Sequence, residues 1–295
     1  MKNLFYTGTD FCQIFTSEYA MDKTELAQYA RGVFINMPFR QIEEKYRPLI
    51  ERYRFDLEIG IDHIALDTFP REIFRETATR LKDLGLAFTI HAPFNEIFLG
   101  APDRLVRDAA RQRLDMAFEV IEHFLPVTSV VMHLNYEDRR FGFVYDDWFG
   151  HVVPAIRDFA GRCAEMRTIL MLENVYEETP DAMAAVFDAL SGAGVGHCLD
   201  AGHLSAFSET SLPDWLAVMG ARVRQFHLHD NDGASDAHAP IGTGAIDFGL
   251  IRDFIARMDA RPVITLEPHS EEDLWATLAG YEASGVRAAV QGLTA

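Results

Sequence analysis

Within the twelve residues from His227 to His238 stand three histidines (His227, His229, His238) and three aspartates (Asp230, Asp232, Asp236). They follow an apolar-alternating run that begins at Val223 and precede the turn Gly242-Thr243-Gly244. Nitrogen and oxygen donors gathered where a strand opens into a loop suit a divalent cation, because mixed imidazole and carboxylate sites accept Zn, Mn, Co or Mg. A surface loop rich in His and Asp would have the same composition. The remainder of the chain has to decide.

The ends of the other apolar runs carry the regularity that decides. Residues two apart share a face of a strand, and six runs end in a ligand-type residue on one face. They read Ala87, Thr89, His91; Ser129, Val131, His133; Ile169, Met171, Glu173; Gly196, Cys198, Asp200; Val223, Gln225, His227; and Val263, Thr265, Glu267. The opposite face is apolar, as at Phe88 and Ile90 or Leu170 and Leu172. Two loops add Asp200-Ala-Gly-His203 and Asp236-Ala-His238. The donors are then His91, His133, His203, His227 and His238 with Glu173, Asp200, Asp236 and Glu267. A lone histidine is more often a hydrogen-bonded core residue than a ligand. Nine donors at matched positions are a different matter, since four buried carboxylates without cations would cost roughly several kcal/mol each.

Eight strand candidates position these residues: Leu4 to Gly8, Asp56 to Gly60, Leu86 to His91, Ser129 to His133, Thr168 to Glu173, Val195 to Asp200, Val223 to His229 and Pro262 to Glu267. Helical patterns lie between them, at Arg104 to Phe124, Trp148 to Glu165, Asp181 to Leu190 and Phe248 to Met258. Alternating strands and helices in this number describe a (β/α)8 TIM barrel, one domain over residues 1–295. A doubly wound sheet needs a Gly-rich first turn, and Tyr6-Thr-Gly-Thr-Asp10 is not one. Strand ends of a barrel converge at its C-terminal mouth, so the six terminal residues should meet there. The aromatic-rich stretch 10–54, with Phe11, Phe15, Phe34, Met37, Pro38 and Phe39, is longer than an ordinary connection. It reads as a lid over the mouth, a dimer contact or a buried first helix.

Composition narrows the partners. A net charge of −18 and the lack of any basic stripe disfavour nucleic acid, whose binding draws on Lys and Arg. No 18-residue apolar run and no leader pattern is present, so a cytoplasmic protein without membrane contact is expected. Cys12, Cys163 and Cys198 are far apart and odd in number, which fits reduced thiols.

The stretches His91-Ala-Pro93, Leu172-Glu173-Asn174, Leu199-Asp200-Ala-Gly-His203, 227–244 and Leu266-Glu267-Pro268 resemble the xylose isomerase-like barrel superfamily, over most of the chain. That group holds sugar and sugar-phosphate isomerases and epimerases, and also the endonuclease IV-type apurinic-site nucleases. For the first branch the resemblance implies one divalent metal held by Glu173, Asp200, His227 and Glu267. Glu173 and Glu267 would act as base and acid through an enediolate, with His203 polarising the substrate. His91, His133 and His229 are then the candidates for sugar hydroxyls, in a protein that is a possible homo-oligomer. For the second branch it implies three zinc ions, with His91, His133, His203, Asp236 and His238 as additional ligands. The Gly-Ala-His start of those nucleases is absent here, where Leu4-Phe-Tyr-Thr-Gly8 stands, and the charge is wrong for DNA. A small-sugar isomerase or epimerase is therefore the favoured reading, a multinuclear-zinc phosphoester hydrolase the alternative. A catalytically silent ligand-binding barrel is the third, and the size of the donor set counts against it.

Several residues read two ways. Arg139-Arg140 form either a clamp for a substrate phosphate or a solvated pair with Glu137 and Asp138. Glu58 binds substrate hydroxyls or a structural partner, Asp230 orients a ligand or caps its loop, and His269 reads as structural.

Overall fold

The structure, a computed structural model, describes residues 22–293. Eight parallel strands close into a barrel in sequence order: β1 Phe34–Pro38, β2 Asp56–Gly60, β3 Phe88–His91, β4 Ser129–His133, β5 Ile169–Glu173, β6 Val195–Asp200, β7 Val223–Leu228 and β8 Val263–Leu266. Helices connect them around the outside, which is the (β/α)8 architecture expected from the pattern. Seven strands lie where the periodicity puts them, within two residues at either end.

The first strand does not. Leu4 to Gly8 lies outside the described residues, and β1 comes instead from the stretch read as a lid or interface. It pairs with β2 over five positions, from Phe34 opposite Asp56 to Pro38 opposite Gly60, and with β8 at Phe34 and Ile35. Val33-Phe34-Ile35 and Met37, interrupted only by Asn36 and bounded by Gly32 and Pro38, are how a largely buried strand reads. Pro38 is tolerated because it ends the strand. Phe39, placed in the lid reading, is fully buried and stacks on Phe74 at 4.1 Å, with Phe69 at 5.5 Å and Phe124 at 6.3 Å. The Phe39 ring thus belongs to the barrel's outer layer, while Pro38 beside it lines the cavity at the mouth. Phe11 and Phe15 lie outside the described residues.

Inside the barrel the side chains sort into two parts. Val131, Met171 and Cys198 form a small apolar cluster with Ile169 under β4 to β6. Across from it lies a polar tier of Glu58, Thr89, Ser129, Gln225 and Thr265, all without solvent exposure. Register sets the donors level at the rim, with His133 opposite Glu173 and Asp200 opposite His227.

Helix ends follow local chemistry. Asp103 caps Arg104–Ile121 by accepting from the Leu105 amide at 2.8 Å, and Ser270 caps Glu271–Ala283. The first of these buries Ala110, Leu114, Ala117, Phe118 and Ile121, one stripe at helical spacing. On the outer face of β6, His197 donates from Nδ1 to the Leu172 carbonyl at 3.0 Å and accepts from Trp215 Nε1 at 3.4 Å. It is fully buried, and burial pushes it down to about 4.

Two outcomes follow from this packing. Phe39→Ala should destabilise the barrel by about 3 kcal/mol or more in urea denaturation, whereas a loss below roughly 1 kcal/mol would contradict the stacked core position. The neutral His197 contributes stability that is complete above the unfolded value of about 6.5 and is lost as pH falls toward 4. At pH 5 that loss amounts to about 2 kcal/mol. His197→Gln should therefore show a shallower fall in stability between pH 7.5 and 5, and an unchanged pH dependence would remove His197 from the acid response.

Candidate metal centre

The C-terminal mouth of the barrel opens into a cavity of about 590 Å³. Asn36, His91, His133, Glu173, His203, Asp236, His238, Glu267 and His269 supply its polar wall, and Pro38, Ile61, Ala92, Phe94 and Pro268 its apolar one. Neither lysine nor arginine lines it among the described residues.

At the floor, His227 Nδ1 faces three carboxylates. Glu267 Oε1 stands 3.1 Å away, Glu173 Oε1 3.3 Å and Asp200 Oδ2 3.9 Å. These four side chains come from β5, β6, β7 and the end of β8, and none is more than 7 % exposed. Asp200 also caps the helix Ala201–Phe207, its Oδ1 accepting from the His203 amide at 2.6 Å. Its other oxygen, Oδ2, has no hydrogen-bond partner, and neither has His227 Nδ1. Asn174 fixes the strand end by pairing with both the N–H and the C=O of Asp200 at 2.9 Å.

Two further clusters flank the floor. His91 Nε2 and His133 Nε2 approach Glu173 Oε2 at 3.1 and 3.3 Å and lie 3.1 Å from each other. On the other side, His203 Nε2 and His238 Nε2 each stand 3.3 Å from Asp236 Oδ2. The orientation of most imidazoles follows one rule. His91, His203 and His238 place Nδ1 against the carbonyls of Ala92, Asn174 and Glu267 at 2.9 to 3.2 Å, which turns Nε2 inward. His227 is reversed.

Electrostatics fit a cationic occupant. Burial alone would raise Glu173, but His227, His133 and His203 outweigh it and hold the carboxyl well below its ordinary value. Burial is likewise overcome at Asp200, Asp236 and Glu267, each held low by neighbouring imidazoles. The carboxylates thus stay ionised at neutral pH. Positive charge has to come from protons on the imidazoles, such as His238 raised to about 9 against the pull of burial, or from ions between them. Unpartnered buried oxygens and nitrogens, together with hard and borderline donors in one shell, suit a divalent ion. Five overlapping triads of donors lie with their ligand atoms within 4.8 Å of one another.

Other expectations fare differently. His229, read as a substrate contact, is 1 % exposed and does not line the cavity. Its ring stacks on His238 at 3.8 Å, with Nε2 3.2 Å from Asp200 Oδ1, and it joins His238 and Glu267 in one of the candidate ligand triads. Asp230 caps its loop: its carboxylate accepts from the amides of Asn231, Gly242, Gly244 and Ile246 at 2.8 to 3.2 Å. A side chain at Gly244 would meet Asn231 O at 2.2 Å, which is why that turn needs glycine. Arg139 is 91 % exposed beside Glu178, and Arg140 lies over the Phe98 ring at 4.3 Å, so neither clamps anything in the cavity. His269 does line it, stacked on His238 at 4.0 Å.

Asn36 escaped the sequence reading because β1 was placed elsewhere; its Nδ2 donates to Glu58 Oε1 at 3.1 Å and Glu267 Oε1 at 3.2 Å. Phe94, 38 % exposed at the rim, was passed over because one phenylalanine after a proline carries no periodic signal. Glu177 sits buried beneath the β5 loop, its Oε2 accepting from the Val175 amide at 2.6 Å, and burial pushes it up to about 7. Its only sequence signal is a second glutamate four residues after Glu173.

A family model described as xylose isomerase-like TIM barrel matches residues 55–289. A probable endonuclease 4 of Mycobacterium ulcerans is 25 % identical over 217 residues, 68 % of this chain and 81 % of that protein. Among solved structures, the TTHB071 protein from Thermus thermophilus, obtained with ZnCl2 soaking, superposes with TM-score 0.70 at 25 % identity, covering 86 % of this chain and 97 % of the other. A D-tagatose 3-epimerase-like protein gives TM-score 0.69 at 17 % identity over 85 % and 97 %, a likeness of fold.

Gly202 sits face to face with the His229 ring, where an added Cβ would meet Cε1 at 1.9 Å. Helix propensity alone predicts that Gly202→Ala stabilises Ala201–Phe207 by up to roughly 1 kcal/mol. The clash predicts the reverse, a loss of about 1–3 kcal/mol. Equal or higher stability by denaturant titration would show that His229 is not held there.

Proposed function

The chain belongs to the xylose isomerase-like TIM barrel family, and on that premise we propose that it is a divalent-metal-dependent isomerase or epimerase of a small sugar. The observation that carries this reading is the buried group beneath the cavity, where His227 Nδ1 stands 3.1, 3.3 and 3.9 Å from one carboxylate oxygen each of Glu267, Glu173 and Asp200. Glu173, Asp200, His227 and Glu267 would hold the ion. When bound, it supplies Lewis-acid polarisation of a carbonyl and its neighbouring hydroxyl.

The residues of the chain do the rest. Glu173 and Glu267 approach the cavity from non-adjacent strand ends, β5 and β8, so one takes the proton from the carbon beside the carbonyl and the other returns it. Returning it to the opposite face of that carbon gives an epimer; returning it to the neighbouring carbon gives an isomer. His203 lines the same wall and donates to substrate oxygen, with His91 and His133 across from it. Phe94 and Pro38 offer apolar contact to the C–H face of a sugar. With no lysine or arginine on the wall among the described residues, an uncharged sugar is favoured over a sugar phosphate.

A second reading keeps support of its own. The clusters His91, His133, Glu173 and His203, Asp236, His238 flank the floor and would hold two more ions, as a multinuclear phosphoester hydrolase requires. Metal content separates the readings: one exchangeable Mn, Mg or Co per chain fits the isomerase, three zinc ions the hydrolase. In D2O, an uncharged ketose should take up deuterium at the carbon beside its carbonyl. Glu173→Gln should reduce that uptake by about 10²-fold or more, while a folded Glu173→Gln variant with full exchange removes Glu173 from proton transfer.

A further inference from the structure

Glu58 lies on the barrel axis beneath the cavity floor, on β2, with no solvent exposure. Five donors converge on its two oxygens. Asn36 Nδ2 at 3.1 Å and His227 Nε2 at 3.0 Å meet Oε1. Thr89 Oγ1 at 2.9 Å, Gln225 Nε2 at 2.8 Å and Thr265 Oγ1 at 2.9 Å meet Oε2. A carboxylate offers about four lone-pair sites, so Glu58 has nothing left for an ion. It is close enough to join His227 and Glu267 in a triad of potential ligands, and its hydrogen bonds remove it from that role. Like His227 and Asp200 it does not line the cavity, and unlike them it has every oxygen already engaged.

The one imidazole among the four floor residues is the one whose ring runs opposite to its neighbours. His91, His203 and His238 rest Nδ1 on a carbonyl and turn Nε2 inward, whereas His227 rests Nε2 on Glu58 at 3.0 Å, closer than Gln225 Nε2 at 3.3 Å, and leaves Nδ1, without a partner, facing Glu173, Asp200 and Glu267. We infer that Glu58 is the positioning residue of the metal centre: it accepts the Nε2–H of His227 and thereby commits Nδ1 to the ion. An ionised acceptor makes a stronger hydrogen bond than a carbonyl does and increases the electron density at the ligating nitrogen. Asn36 extends the same hold by bridging Glu58 Oε1 and Glu267 Oε1, so one tier orients two of the four donors. This inference rests on the proposed ion site and on nothing about the sugar.

Long-range ¹H–¹⁵N correlation spectra of the zinc-loaded full chain read both nitrogens of His227, whose signals are identified by their loss in His227→Asn. The expected result is zinc at Nδ1, with a proton retained on Nε2 that exchanges slowly with solvent. Zinc at Nε2, or a proton on Nδ1, overturns the inference. Glu58→Gln keeps the side-chain size but faces the donors with an amide, and should weaken zinc binding about 10- to 100-fold in competition with a chromophoric chelator. A folded Glu58→Gln with wild-type zinc affinity overturns the inference too. Should that variant fail to fold, the wild-type spectra decide alone. A chain that holds zinc at Nδ1 yet exchanges no sugar keeps this inference and loses the sugar reading, while one that takes up none of zinc, manganese, cobalt or magnesium loses both.

Discussion

Carboxylates that stay ionised inside a barrel, with no lysine or arginine among the described residues beside them in the cavity wall, are the constraint on which the arrangement depends. Burying such a group without compensation costs several kcal/mol, and the chain meets the problem in two ways. Glu58 is satisfied entirely by hydrogen bonds from side chains of four other strands and never reaches the cavity. Glu173, Asp200 and Glu267 are satisfied only in part, and the remaining oxygens converge on imidazoles. One tier is closed and the other is open.

This division explains why strand register matters so much. Because β4 pairs with β5 at His133 and Glu173, and β6 with β7 at Asp200 and His227, donors on adjacent strands stand level. Moving any strand by one residue would turn its terminal donor toward the outer helices and an apolar residue inward. The apolar cluster of Val131, Met171 and Cys198 below β4 to β6, and the aromatic stack around Phe39 outside, hold the strands against such a shift. Packing and chemistry are thus the same constraint seen from two sides of the sheet.

The fold was legible because six strand ends repeated one pattern, apolar on one face and ligand-type at the end of the other. Side-chain alternation of period two needs no tertiary information. The first strand was not legible, since Val33 to Met37 is largely buried and shows no alternation that would separate it from a helix. Asn36 went with it. Convergence of the nine donors could be inferred from topology, but which nitrogen each imidazole turns inward could not. That choice depends on a carbonyl or carboxylate from another segment, as with His203 on Asn174 and His227 on Glu58. Asp230 shows the same limit: its carboxylate has a ligand's chemistry, and its four amide partners decide between the two readings in favour of the loop.

The loop after β7 is gathered by Asp230, which draws four backbone amides onto one carboxylate, and by the ladder contact between Asp230 and Ala239. His238 stands there with φ of 47°, a left-handed backbone uncommon outside glycine. Those contacts are made within the loop itself, on either side of Asp236 and His238, so the segment is tied down before these two side chains reach the cavity wall.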